Sequence, residues 1–134
     1  MDDKELIALA CKARESAYCP YSHMAVGAAL LAASGKVYSG ANIENASFTP
    51  TVCAERVAFF SALMAGERKF VRIAVVGGPE GEEPLRDFPP CGVCRQVMSE
   101  FCDDDFEILI ATRDSYHRLT LPEILPFRFS EAYF

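Results

Sequence analysis

The sequence predicts an α/β fold, a three-layer α/β/α sandwich around a mixed β-sheet, on three observations. Two segments, VRIAVVGG at 71–78 and FEILIATR at 106–113, are short, largely apolar and rich in Val and Ile, as strands buried on both faces should be. They alternate with helix-like segments at 53–67 and 91–102, and that alternation implies parallel strands joined by crossovers. The length of 134 residues suits one domain, 1–134, and neither a linker nor an internal repeat divides it.

Residues 3–18 place Leu6, Ile7, Leu9, Ala10, Ala13 and Ala17 at helical spacing, with Asp2 or Asp3 as N-cap and Cys19-Pro20 ending the run. AVGAALLAA (25–33) and VYSGANIE (37–44) flank Ser34-Gly35-Lys36 and read as a β-hairpin. A polar loop over 45–52 leads to CAERVAFFSALMAGE (53–67), a run of strong helix formers with Gly66 near its end. After the strand at 71–78, GGPEGEEPLRDFPP (77–90) is too rich in Gly and Pro to be anything but loop. CGVCRQVMSEFC (91–102) starts a third helix just after Pro89-Pro90, and LPEILP (121–126) is a short helical turn between prolines.

Composition narrows the function. Thirteen basic against nineteen acidic residues give a net charge of −6, the wrong sign for a protein that lives on phosphate backbones, so no nucleic-acid partner is expected. The acidic start, Asp2-Asp3-Lys4-Glu5, is unlike a signal peptide, and no stretch approaches 18 uncharged apolar residues; a cytoplasmic protein with no membrane partner is the expectation. In that reducing setting the six cysteines point to metal or redox chemistry rather than disulfides.

Cys91 and Cys94 in PCGVC open a predicted helix, where residues three apart share a face and unpaired backbone N–H groups stabilise negative sulfur. Cys53 opens another. If those two helix starts meet, three thiolates converge on one metal ion, and a site with three protein ligands leaves a fourth position for water, as catalytic zinc sites do. Glu55, in the first turn after Cys53, is then placed to take and return a proton, and Arg56 to donate hydrogen bonds to sulfur. Other readings stand beside this one. CGVC alone also suits a dithiol oxidoreductase, a Glu early in a helix often only complements the helix dipole, and a non-catalytic zinc domain needs a fourth ligand such as His23, His117, Cys11, Cys19 or Cys102.

Cys53-Ala54-Glu55-Arg56 followed 38 residues on by Pro90-Cys91-Gly92-Val93-Cys94 resembles the short, homotetrameric, three-cysteine form of cytidine deaminase. Pro20-Tyr21-Ser22, Val26-Gly27-Ala28-Ala29, Asn42-Ile43-Glu44-Asn45 and Ile124-Leu125-Pro126 extend the resemblance over nearly the whole chain. It implies a cytidine deaminase-like fold, one Zn2+ per chain on Cys53, Cys91 and Cys94, and hydrolytic deamination of cytidine and deoxycytidine by zinc-bound hydroxide, with Glu55 as proton shuttle. It also implies that Asn42 and Glu44 hold the ribose hydroxyls and that the Ala54 N–H meets the base carbonyl. The resemblance further implies that Met24 lies against the base and that Phe129 caps the site from a neighbouring subunit of a homotetramer with shared active sites. Met24 departs from the family's usual Phe, and Phe48 from a common Tyr. An aminonucleoside deaminase of the blasticidin type is the alternative within the same superfamily.

Overall fold

The computed structural model describes residues 1–134. Its elements run α1 (Asp3–Arg14), β1 (Met24–Ala32), β2 (Val37–Ala41), α2 (Ala54–Met64), β3 (Phe70–Pro79), α3 (Gly92–Phe101), β4 (Glu107–Ala111), β5 (Tyr116–Thr120), α4 (Leu121–Ile124) and a closing 3-10 turn (Glu131–Tyr133). The five strands form one sheet in the order β2-β1-β3-β4-β5.

The three predicted layers are present. On one face α1 buries Leu6 and Ala10 against Ala29, Leu31, Ala74 and Val76. On the other, α2 and α3 bury Ala58, Phe59 and Met98 against Leu30, Val75 and Ile108. The period-2 alternation of β1 sends Ala29 and Leu31 one way and Ala28 and Leu30 the other, so both faces of the central strands are dry and the sequence reads as continuously apolar. Phe59 anchors the larger core, edge-to-face with Phe70 at 5.2 Å between ring centres and tilted against Phe106 at 6.0 Å.

Three expectations need correction, and one strand is new. The first helix stops at Arg14 rather than reaching residue 18, because the backbone tightens to bonds from i to i−3 over Glu15–Ala17 and Tyr18 is drawn off to pair with the Asn42–Glu44 segment. The second hairpin strand ends at Ala41: Asn42 still donates its N–H to Val26 but offers its carbonyl to Tyr18, and Ile43 turns to pair with Val52. The strand expected over 71–78 is present and keeps Gly77 and Gly78, paired with Val26 and Ala25, so the loop read over 77–90 starts only after Pro79. Finally, an antiparallel β5, unforeseen in the sequence, completes the edge of a sheet that is mixed as expected, with β3 and β4 parallel and β1 antiparallel to both its neighbours.

The sheet register brings the functional segments together. Met24 at the start of β1 lies opposite Pro79 at the end of β3, and Gly27 opposite Ala41 at the end of β2. The loops leaving β2 and β3 therefore emerge at one sheet edge, and these loops deliver the starts of α2 and α3. Gly40 lets α2 approach closely: a Cβ there would lie 2.2 Å from the Ala54 carbonyl oxygen and 2.6 Å from the Ala58 nitrogen.

Candidate metal centre and active site

Cys53 and Cys91 are the N-cap residues of α2 and α3, both with extended backbone, and neither spends its side chain on capping. Their sulfurs are thus free to point beyond the helix starts, where unpaired N–H groups favour negative charge. Cys94 follows one turn into α3. The Cys53 and Cys91 sulfurs are 3.7 Å apart, and all three sulfurs lie within 4.8 Å of one another. The Arg56 guanidinium donates to Cys53 Sγ at 3.4 Å, while its buried Nε has no partner. Hydrogen bonding from Cys94, then from Arg56 and Cys91, pulls the Cys53 thiol down to about 5 against the penalty of burial. Cys94 moves the other way, pushed up by that same bond to Cys53 and by burial.

Glu55 is buried, only 3% exposed, on the first turn of α2. Burial pushes its carboxyl up to about 7, with the Cys53 charge adding to the rise. It lines a cavity of about 290 Å³ together with Cys53 and Cys91, Asn42 and Glu44, and Met24. Backbone pairing explains why the loop residues arrive there. Ile43 and Val52 exchange both N–H···O bonds at 3.0 Å, and Tyr18 brackets the strand end by donating to Asn42 and accepting from Glu44, each at 2.9 Å. Asn42 accepts from the Val26 N–H and donates to the Met24 carbonyl, both at 2.8 Å, clamping the cavity edge to β1. Glu44 accepts from the N–H groups of Tyr21 (2.9 Å) and Ser22 (3.1 Å) and from the Ser22 hydroxyl. The bond from that hydroxyl is the main reason its carboxyl is held below the usual carboxylate range.

Most of the expected residues meet at this cavity. Ala54 is buried at the first helical position of α2, beside Cys53 and Glu55. Phe129 is not among the lining residues: it is 58% exposed and stacks at 5.7 Å on Tyr133 within its own tail. Phe48 is exposed. The fourth-ligand candidates are engaged elsewhere. His23 and Cys19 bond Glu80, His117 bonds Asp87, Cys102 is in the main core and Cys11 packs beside the smaller one. Six lining residues were given no site role by the sequence reading, Ser22, Val26, Thr51, Val52, Phe88 and Pro89. The signal for Ser22 was its place in Pro-Tyr-Ser; Phe88 offered only its position before Pro-Pro-Cys.

The donor set fits zinc. Two thiolates about 2.3 Å from a tetrahedral centre stand about 3.8 Å apart, close to the separation of Cys53 and Cys91. No fourth His, Cys, Asp or Glu joins the group, which leaves one corner open as in catalytic rather than structural sites. The third cysteine also removes the dithiol reading, since Cys91 and Cys94 are not an isolated pair.

Three cysteines from two helix starts and a buried carboxylate one turn away define the class, a zinc-dependent hydrolytic deaminase. Residues 1–110 match the cytidine and deoxycytidylate deaminase zinc-binding region, and the chain belongs to that family. It is 46% identical over 132 residues to a cytidine deaminase of Sporosarcina psychrophila, covering 98% of this chain and 93% of the relative. To a cytidine deaminase of Halalkalibacterium halodurans it is 47% identical, over 97% and 96%. A crystal structure of cytidine deaminase from Burkholderia pseudomallei superposes with a TM-score of 0.87 at 44% identity, over 96% of this chain and 100% of that one. A blasticidin-S deaminase of Bacillus cereus is more distant, at 32% identity over 96% and 92%.

Proposed function

We propose that residues 1–134 form a single deaminase domain that hydrolyses cytidine and deoxycytidine to uridine and deoxyuridine with release of ammonia. The observation that carries this reading is the buried Glu55 beside three converging cysteine sulfurs, at the floor of a cavity rimmed by Asn42 and Glu44. Cys53, Cys91 and Cys94 would hold the metal. Zinc, when bound, supplies Lewis acidity and a water activated at neutral pH.

The chain's own residues supply the rest. Glu55 takes one proton of the attacking water and passes it to N3 of the pyrimidine, then takes the remaining proton from the new hydroxyl on C4 and delivers it to the departing amino group as the C4 carbonyl forms and ammonia leaves; one residue works as base and then acid. Burial keeps competing water away from that carboxylate. The Ala54 N–H, unpaired inside its helix, is available to the base carbonyl. Asn42 and Glu44 meet the ribose hydroxyls with the lone pairs and donors left over from their backbone bonds. Arg56 offsets the negative charge of the thiolates, and Met24 lies against the base.

The exposed rings of Phe127, Phe129, Tyr133 and Phe134 support association into a homotetramer in which Phe129 caps a neighbouring site. No helix is long and apolar enough to cross a membrane, and the net charge of −6 argues against nucleic acid. A cytoplasmic enzyme of pyrimidine salvage fits these features.

The test is the loss of cytidine absorbance with purified protein, with metal analysis in parallel. Wild type should carry one zinc per chain and convert cytidine. Glu55→Gln should keep zinc and bind nucleoside, yet lose about 10² to 10⁴-fold or more in turnover. Near wild-type turnover in that variant, or full activity without metal, would overturn the reading.

A further inference from the structure

We infer that Phe88, held in place by the absence of a side chain at Gly77, is the aromatic wall against which this enzyme packs the pyrimidine ring, serving where the family's usual aromatic is replaced by Met24. The inference rests on the functional reading above and names a substrate-contacting residue that the motifs do not mark.

Three observations carry it. First, among the residues lining the 290 Å³ cavity, Phe88 is the one aromatic; its apolar companions include Met24, Val26 and Val52. A planar heterocycle gains most from a flat aromatic face, and a thioether offers adaptable packing without one.

Second, the ring's position is dictated by the sheet. A Cβ on Gly77 would stand 2.5 Å from Phe88 Cγ and 2.9 Å from Phe88 Cβ, so the phenyl group occupies the space a side chain on β3 would fill. Gly77 pairs with Val26, and Met24 lies two residues along β1 opposite Pro79. Side chains two apart on a strand share a face, as do directly paired residues. The Phe88 ring over Gly77 is therefore flush with Val26 and Met24, and the three make one continuous apolar surface.

Third, Phe88 shares the cavity lining with Cys53, Glu55 and Cys91, and only the stiff Pro89 and Pro90 separate it from the ligand Cys91. The ribose-facing residues, Asn42 and Glu44, come from the separate loop after β2. The pyrimidine must lie toward the cysteines, where its reacting carbon is, and Phe88 joins the lining from the loop that leads to Cys91. Phe88 is half-buried against the main core, so the core and the space at Gly77 fix its placement.

The experiment measures KM and kcat for cytidine, uridine affinity by calorimetry, zinc content and melting temperature in Phe88→Leu, Gly77→Ala, the two combined, and Phe88→Leu with Met24→Phe. Phe88→Leu should raise KM about tenfold and weaken uridine binding by a similar factor, with kcat changed far less and zinc retained. Gly77→Ala, which displaces the ring without removing it, should reproduce that rise. Adding Gly77→Ala to Phe88→Leu should add little, because the smaller side chain has already vacated the space. Met24→Phe should recover much of the lost affinity without restoring the melting temperature, a pattern that loss of packing alone does not produce. A KM and a uridine affinity in Phe88→Leu within twofold of wild type would overturn the inference. So would fully additive Gly77 and Phe88 effects, or no recovery by Met24→Phe. If wild type itself left cytidine unchanged, the functional reading would fall, and this inference with it.

Discussion

The contact between Gly40 and α2 predicts what one methyl group does to the metal centre. In Gly40→Ala the new Cβ would meet the Ala54 carbonyl oxygen at 2.2 Å and the Ala58 nitrogen at 2.6 Å, both backbone atoms of α2. Side-chain carbons in proteins essentially never come within 3.0 Å of such atoms, so helix and strand must separate by about 1 Å. Cys53 is the residue just before Ala54, and its sulfur must move with the helix start. Zinc–thiolate distances tolerate only about 0.2 Å, several times less than the displacement. Overpacking of this kind costs about 1–3 kcal/mol, which for a chain of this size is a fall of about 3–5 °C in Tm per kcal/mol. Calorimetry on the holoprotein should show that fall, and metal analysis should show substoichiometric zinc or faster loss to a chelator. Gly92→Ala is the matched control. It lies next to Cys91, but nothing stands within 4 Å of the atom it would add, and alanine suits a first helical turn better than glycine; it should keep zinc and Tm. Wild-type Tm and full zinc retention in Gly40→Ala would refute the reasoning, because the two elements would then have slack that the distances deny.

Two further outcomes follow from the charge network. Arg56→Gln removes the donor 3.4 Å from Cys53 Sγ; turnover should fall about 10- to 100-fold while zinc content changes much less, and equal activity in the two proteins would remove Arg56 from the site. Glu107 is held below its ordinary 4.5, first by its bond from Arg118 and then by Arg72. Because the folded value is the lower one, this carboxylate stabilises the fold above about pH 4.5 and loses that contribution as the pH falls toward its depressed value. The gap in Tm between wild type and Glu107→Gln should be widest near neutrality and shrink below pH 4.5; a gap that is constant with pH would contradict the assignment.

Much of this molecule was legible in its sequence because the signals were local. Helix periodicity, the Gly turn of the hairpin and the apolar runs of β3 and β4 each report on a few consecutive residues, and each element formed. Where boundaries slipped, a distant partner intervened: the Asn42–Glu44 segment took Tyr18 beyond the first helix, and Val52 took Ile43. β5 escaped notice because Tyr-His-Arg-Leu-Thr is an edge strand, mostly exposed and polar, and carries neither an apolar run nor a clean alternation.

The site divides along the same line. Cys-Ala-Glu-Arg and Pro-Cys-x-x-Cys pointed to the three cysteines that converge and to the Glu55 proposed as acid–base residue, since helix N-termini and thiol spacing are matters of sequence. Only the tertiary structure could decide that α2 and α3 begin at the same sheet edge, that Asn42 clamps β1 as well as facing the cavity, and that Phe88 sits over Gly77. Each of these depends on which strands become neighbours and in what register. That choice is made by burial summed over the whole sheet, and no single segment of the chain encodes it.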